Sequence, residues 1–214
     1  MEEKIKTFVE KTKEIFKERL KSCIIYGSYV KGNYRKGISD INLIVIVDSL
    51  SKTDLEEIKK RLSKFAYKNM IRFYLFSEWF LLSSADVFPV EWLDIKENHR
   101  VIYGEDITEK IKVEKENLRV EIERKTKQLF LDFQHSIIFE RNIYSVIEDV
   151  IKNLKFLIPL IEKQMGKRIA IPEGLEIFEK NVKLKKKEIY EKVDEILKFL
   201  SEIIYLINER KEKK

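Results

Sequence analysis

Cysteine is almost missing from this 214-residue sequence: there is one, Cys23. That excludes an intramolecular disulfide and a cysteine-based zinc site. Cys23 lies in an apolar run and reads as a core residue. Histidine is equally scarce, and His99 and His135 stand far apart without ligand-like neighbours, so each reads as a surface or satisfied histidine rather than a metal ligand. With three prolines and six glycines, the chain carries few breakers, and no repeat or low-complexity tract interrupts it. No apolar run approaches the roughly 18 residues of a membrane span. The opening Met1-Glu2-Glu3-Lys4 leads into a charged amphipathic segment with no small-residue cleavage site. The expectation is a soluble, cytoplasmic protein that neither enters a membrane nor carries a secretory signal.

Charge is what the sequence has in abundance. Lys and Arg number 43 against 37 Asp and Glu, a formal charge of +6, and Lys, Glu and Ile dominate. Lys/Glu-rich surfaces of this kind are common in proteins from hot environments, where ion-pair networks cost less to desolvate. Most lysines alternate with glutamates, the pattern of solvated helix faces. Two segments break the pattern, Lys183–Lys187 and the tail from Lys211. They read first as solubilising charge and second as a polyanion contact, nucleic acid included.

Hydrophobic periodicity divides the chain in two. Ile5, Phe8, Val9, Ile15, Phe16 and Leu20 recur at helical spacing and predict an amphipathic helix over 3–20. The apolar run Cys23-Ile24-Ile25-Tyr26 predicts a buried strand ending at Gly27-Ser28, and Ile41–Val47 predicts a second, central strand. Ser51 and Thr53 are candidate caps for a helix to about Ala66, with Leu55, Ile58, Leu62 and Phe65 in one stripe. Ile71–Phe76 reads as a third strand, and Val87–Ile95 as a fourth whose Pro89 suits an edge or a strand start. After the turn Tyr103-Gly104-Glu105-Asp106 the strand signal ends. Helical stretches follow at about 112–141, 143–165, 173–182 and 186–210, with breaks near Asn142, Gly166 and Pro172. The expected fold is α+β, with a mixed-sheet domain over 1–106 and an all-α helical bundle over 107–214.

The chemistry concentrates between the first two strands. A Gly-Ser pair directly after a buried strand lets backbone N–H groups and the Ser28 hydroxyl approach an anion closely, because glycine has no Cβ. On the next strand Asp40 and Asn42, two residues apart, project from one face. The stretch reads Gly27-Ser28-Tyr29-Val30-Lys31-Gly32, then Ser39-Asp40-Ile41-Asn42-Leu43.

A Gly-Ser pair followed after about ten residues by Asp-x-(Asp or Glu) on a strand resembles the signature of the DNA polymerase beta-like nucleotidyltransferase superfamily. The likeness is greatest to its minimal nucleotidyltransferase and kanamycin nucleotidyltransferase-like branch, and it is carried by Lys31, Gly32, Ser39, Asp40, Ile41 and Leu43. It covers about residues 1–106. A helical C-terminal half is also usual in the kanamycin-type relatives.

The resemblance implies a nucleoside triphosphate substrate with Mg²⁺ and transfer of a nucleotidyl group to a hydroxyl acceptor. Gly27 and Ser28 would hold phosphates, Lys31 or Arg35 would neutralise them, and Ser39 belongs to the same nucleotide-binding set. Asp40 and Asn42 occupy the two metal positions on the strand. The family's third carboxylate lies on a later strand, which makes Glu91, within Pro89-Val90-Glu91-Trp92-Leu93, the candidate catalytic and metal-binding acid. Asp94 is its competitor, and strand alternation would point it to the opposite face. Kanamycin-type relatives dimerise with a shared active site, so a homodimer is also implied. Asn42 departs from the pattern: an amide oxygen brings no charge to a hard divalent cation. A catalytically degenerate nucleotide-binding or protein-interaction module is therefore the competing expectation.

Overall fold

The computed structural model describes residues 1–140, 142–180 and 185–209. Chain packing separates two compact units, Met1–Leu118 and Arg119–Lys214. The first opens with helix α1 (Glu2–Phe16), a 3₁₀ turn Lys17–Arg19 and strand β1 (Leu20–Tyr26). The expected helix thus stops at Phe16, and Leu20 already belongs to the strand. After a second 3₁₀ turn at Gly27–Tyr29 come β2 (Ile41–Val47), α2 (Lys52–Arg61), α3 (Ser63–Lys68) and β3 (Ile71–Ser77). The helix expected over 51–66 is interrupted at Leu62. Its start is secured by a capping box, in which Ser51 Oγ accepts from the Asp54 N–H and Asp54 Oδ2 accepts from the Ser51 N–H.

Helices α4 (Glu78–Ser83) and α5 (Pro89–Glu97) follow, and strand β4 (His99–Gly104) closes the sheet. The strand expected over Val87–Ile95 is instead helix α5. Its proline occupies the first turn, where the missing N–H costs nothing and the fixed φ suits a helix. Its apolar residues looked strand-like because the helix buries Val90, Trp92 and Ile95. Trp92 Nε1 donates to Ser84 Oγ at 2.9 Å, which satisfies the buried indole.

The sheet has the order β3-β2-β1-β4, with β1 antiparallel to β2 and β4 and with β2 parallel to β3. Alternation gives the central strands two apolar faces. Cys23, Ile25, Leu43 and Val45 pack with Phe8, Phe16 and Leu62 from α1 and the α2–α3 region. Ile24, Ile44 and Ile46 pack with Leu81, Trp92, Ile95, Ile107 and Ile111. Gly104 ends β4 against β1 so closely that a Cβ there would lie 1.9 Å from the Lys21 carbonyl oxygen, at a φ of +78°.

The second unit contains most of α6 (Lys115–Phe139), then α7 (Ile143–Met165), a 3₁₀ segment Leu175–Lys180 and α8 (Lys186–Glu209). Asn142 caps α7, its Oδ1 accepting from the Ser145 N–H, and Gly166 ends the helix in a left-handed conformation. Ile147, Val150, Ile151, Leu154, Leu157, Ile158 and Ile161 form the buried stripe of α7, and Ile196, Leu200, Ile203 and Ile207 that of α8. Of the helix expected over 173–182, Leu175–Lys180 is a 3₁₀ segment, and 181–182 lie outside the described residues. Of the lysine-rich segments, Lys183 and the tail from Lys211 lie outside the described residues.

Candidate functional site

β1 stops at Tyr26, and Gly27 turns the chain with a φ of +78°, a conformation that favours glycine. The N–H groups of Val30 and Lys31 both donate to the Gly27 carbonyl at 3.0 Å, closing the turn. Register pairs Tyr26 with Asn42, and a Cβ added to Gly27 would come within 3.0 Å of Asn42 Nδ2. The glycine is therefore favoured by conformation, and the Asn42 amide leaves little room for a side chain there. Asp40 stands just before β2, two residues from Asn42, so both occupy the face that carries Ile44 and Ile46.

Strand β3 contributes a residue the sequence did not reveal. Asn42 pairs with Arg72, and Arg72 Nη2 lies 3.2 Å from Asp40 Oδ2. On the other side of β1, His99 pairs with Tyr26. A row of His99, Tyr26, Asn42 and Arg72 thus crosses all four strands where β1 ends and β2 begins. Burial pushes the Tyr26 phenol up, Tyr74 adds to the effect, and the Arg72 guanidinium opposes it. His99 is a satisfied histidine: Nε2 lies 2.8 Å from Asp106 Oδ2, and Nδ1 lies 3.1 Å from the Lys96 carbonyl oxygen. Burial pushes the Asp106 carboxyl up, but its bonds to Thr108 and His99 prevail and hold it below the usual range.

The remaining sequence candidates divide. Lys31 Nζ sits 2.7 and 2.9 Å from the two carboxylate oxygens of Asp94, so Asp94 is the acid that reaches this turn. Glu91 lies in the first turn of α5 and is half-buried. Three residues apart on a helix, Glu91 and Asp94 are neighbours on one side, and the strand alternation expected to separate them does not apply. Ser39 Oγ accepts from the Arg35 N–H at 3.1 Å and shapes the loop before β2. Among the described residues the Ser28 hydroxyl and the Arg35 guanidinium have no partner.

Among the described residues no group of three or more His, Cys, Asp or Glu side chains is placed to hold a metal ion. At the expected position the donors are a carboxylate already facing a guanidinium, and a neutral amide. Hard divalent cations draw their affinity from anionic oxygen ligands, so this set does not fit a protein-held two-ion centre. A cavity of about 520 Å³ lies elsewhere, between α6 and α7 and lined by Arg124, Asp132, Phe133, Asp149 and Asn153 among others. It includes none of the residues selected from the sequence.

No protein-family model and no curated protein matches the chain by sequence. Its structure is similar to that of spectinomycin adenyltransferase AAD(9) from Enterococcus faecialis, solved with ATP and spectinomycin. The TM-score is 0.56 at 14% identity, over 97% of this chain and 99% of that one. What the two share is the fold. A mixed four-stranded sheet with flanking helices, followed by a helical region, is the α+β arrangement expected from the sequence.

Proposed function

We propose that the β1–β2 face binds a nucleoside triphosphate and that the chain transfers its nucleotidyl group to a hydroxyl acceptor. The observation that carries this reading is the close apposition of the Gly27 turn to Asn42, with Asp40 and Arg72 beside it, in a fold shared with an ATP-bound adenyltransferase. Glycine at a positive φ lets phosphate oxygens approach the backbone, and the unpartnered Ser28 hydroxyl and Arg35 guanidinium supply further donors. In the transfer the acceptor oxygen forms a bond to the α-phosphorus while the bond to the bridging oxygen breaks and pyrophosphate leaves. Asp40, just before β2, is the carboxylate that receives the acceptor's proton in this reading. Arg35 and Arg72 offset the charge on the departing pyrophosphate.

One observation favours a second reading. Asn42 and its strand neighbour Arg72 replace anionic oxygen with a neutral and a cationic group, which suits a module that binds a nucleotide without transferring it. Calorimetric titration of ATP and GTP into the wild type and Gly27→Ala tests the binding common to both. The variant forces a side chain into a left-handed conformation and against Asn42, so nucleotide affinity should fall about tenfold or more. Absence of binding by the wild type refutes both readings. Pyrophosphate release in the presence of hydroxyl acceptors then separates transfer from silent binding.

A further inference from the structure

We infer that phosphate is held on this face by Arg72 rather than through a protein-bound divalent cation, with Asp40 serving as the counter-ion that orients the guanidinium. The inference rests on the nucleotide reading above and specifies what holds the ligand there.

Three observations converge on it. First, the parallel register Asn42↔Arg72 sets a permanent cation on the strand next to the Asp40 and Asn42 pair, where a metal site needs anionic oxygen. An arginine stays protonated at any physiological pH, so it repels a divalent cation under all working conditions. Second, the only acid of the strand motif is committed to that arginine at 3.2 Å. The second motif position, Asn42, contributes no charge, and the nearby Asp94 is paired with Lys31 at 2.7 Å. Asp40 and Asp94 are thus each paired with a cation of the chain itself.

Third, Arg72 retains the means to bind. Its side chain is 67% exposed, and the guanidinium carries five N–H donors, of which one carboxylate engages at most two. The remaining fork matches two phosphate oxygens in the bidentate geometry that arginine favours. Arg35 lies in the loop that leads into β2, without a partner among the described residues, and adds a second cation. Held by Asp40, Arg72 is oriented before ligand arrives, which reduces the side-chain entropy lost on binding.

The two ways of holding phosphate predict opposite responses to loss of the same carboxylate. If Asp40 holds a metal, Asp40→Asn abolishes nucleotide binding. If Asp40 is the counter-ion of Arg72, Asp40→Asn releases the guanidinium and removes a negative charge beside the phosphates, so binding tightens. The experiment titrates ATP and inorganic tripolyphosphate into the full chain by calorimetry at one low ionic strength, in EDTA and in Mg²⁺. The proteins are the wild type, Asp40→Asn, Arg72→Gln and Arg72→Lys. Both positions are at the surface, and circular-dichroism melts verify that the variants are folded.

The expected result is wild-type affinity equal within about twofold in EDTA and Mg²⁺. Asp40→Asn should bind about two- to fivefold tighter in EDTA, the size of an exposed charge pair. Arg72→Gln should bind about tenfold or more weakly, the size of a lost charge-assisted contact, with partial recovery in Arg72→Lys. Binding that requires Mg²⁺ and disappears in Asp40→Asn overturns the inference and leaves the nucleotide reading standing. Tripolyphosphate binding that depends on Arg72, without ATP binding, sinks the nucleotide reading and supports the inference. Failure of both ligands to bind the wild type overturns both.

Discussion

Replacing Asp54 by Asn removes one negative charge from a site where the structure concentrates its partners. Asp54 is buried at the start of α2, where it accepts from the Ser51 N–H at 2.9 Å and from the Ser51 hydroxyl at 2.8 Å, and both carboxylate oxygens face the Arg19 guanidinium. The Arg19 hydrogen bond dominates, burial opposes it, and Ser51 adds to it, leaving the Asp54 carboxyl at about 2 against an ordinary 3.8. A carboxylate whose folded pKa lies below its unfolded value stabilises the fold above the unfolded pKa, and that stability is lost as pH falls through the folded one. A depression of nearly two pH units, at about 1.4 kcal/mol each, sets an upper limit of roughly 2–3 kcal/mol. Because Arg19 is 39% exposed, solvent screens the pair, and about 1–2 kcal/mol is the working expectation. Urea unfolding followed by far-UV circular dichroism should show Asp54→Asn less stable than wild type by that amount at pH 7. The gap should close between about pH 4 and pH 2. Asparagine still accepts from Ser51, so the difference isolates the charge. A gap that stays constant down to pH 2 refutes the ion-pair account of how α2 is anchored.

Two further outcomes follow from the packing. Gly104→Ala places a methyl group 1.9 Å from the Lys21 carbonyl in a left-handed conformation. It should destabilise the sheet by about 3 kcal/mol or more, measured as a lowered unfolding midpoint with β4 amides exchanging first. Burial pushes the Cys23 thiol up to about 12, and it is fully enclosed in the sheet core. A thiol reagent at pH 8 should leave the native protein untouched and titrate one thiol after unfolding, whereas rapid native reaction would contradict a buried β1.

Much of the first unit was legible because the strands are short apolar runs bounded by charge. Ile41–Val47 was expected and observed over the same residues, flanked by Asp40 and Asp48. Ser51 was recognisable as a cap because its chemistry is local. Helix α5 was not legible: its buried residues Pro89, Val90, Trp92 and Ile95 leave no clear polar stripe, and proline is as much at home in a first helical turn as at a strand start. β4 was missed because its three apolar residues, Val101, Ile102 and Tyr103, stand beside an evident turn at Gly104. In the candidate site, Gly27, Asp40 and Asn42 were found from spacing. Arg72 was not, since what makes it important is the parallel register with β2, and register is a tertiary property. One signal was available: a lone arginine in the otherwise apolar run of β3, at a position that alternates toward one face.

The order of strands along the chain has a consequence for synthesis. β1, β2 and β3 succeed one another within residues 20–77, joined by the loop over 27–40 and one helical crossover. Domains form as units as they emerge from the ribosome, the N-terminal part first. The face that brings Asp40, Asn42 and Arg72 together is therefore encoded in full before translation reaches α6. Its birth precedes that of α6, α7 and α8.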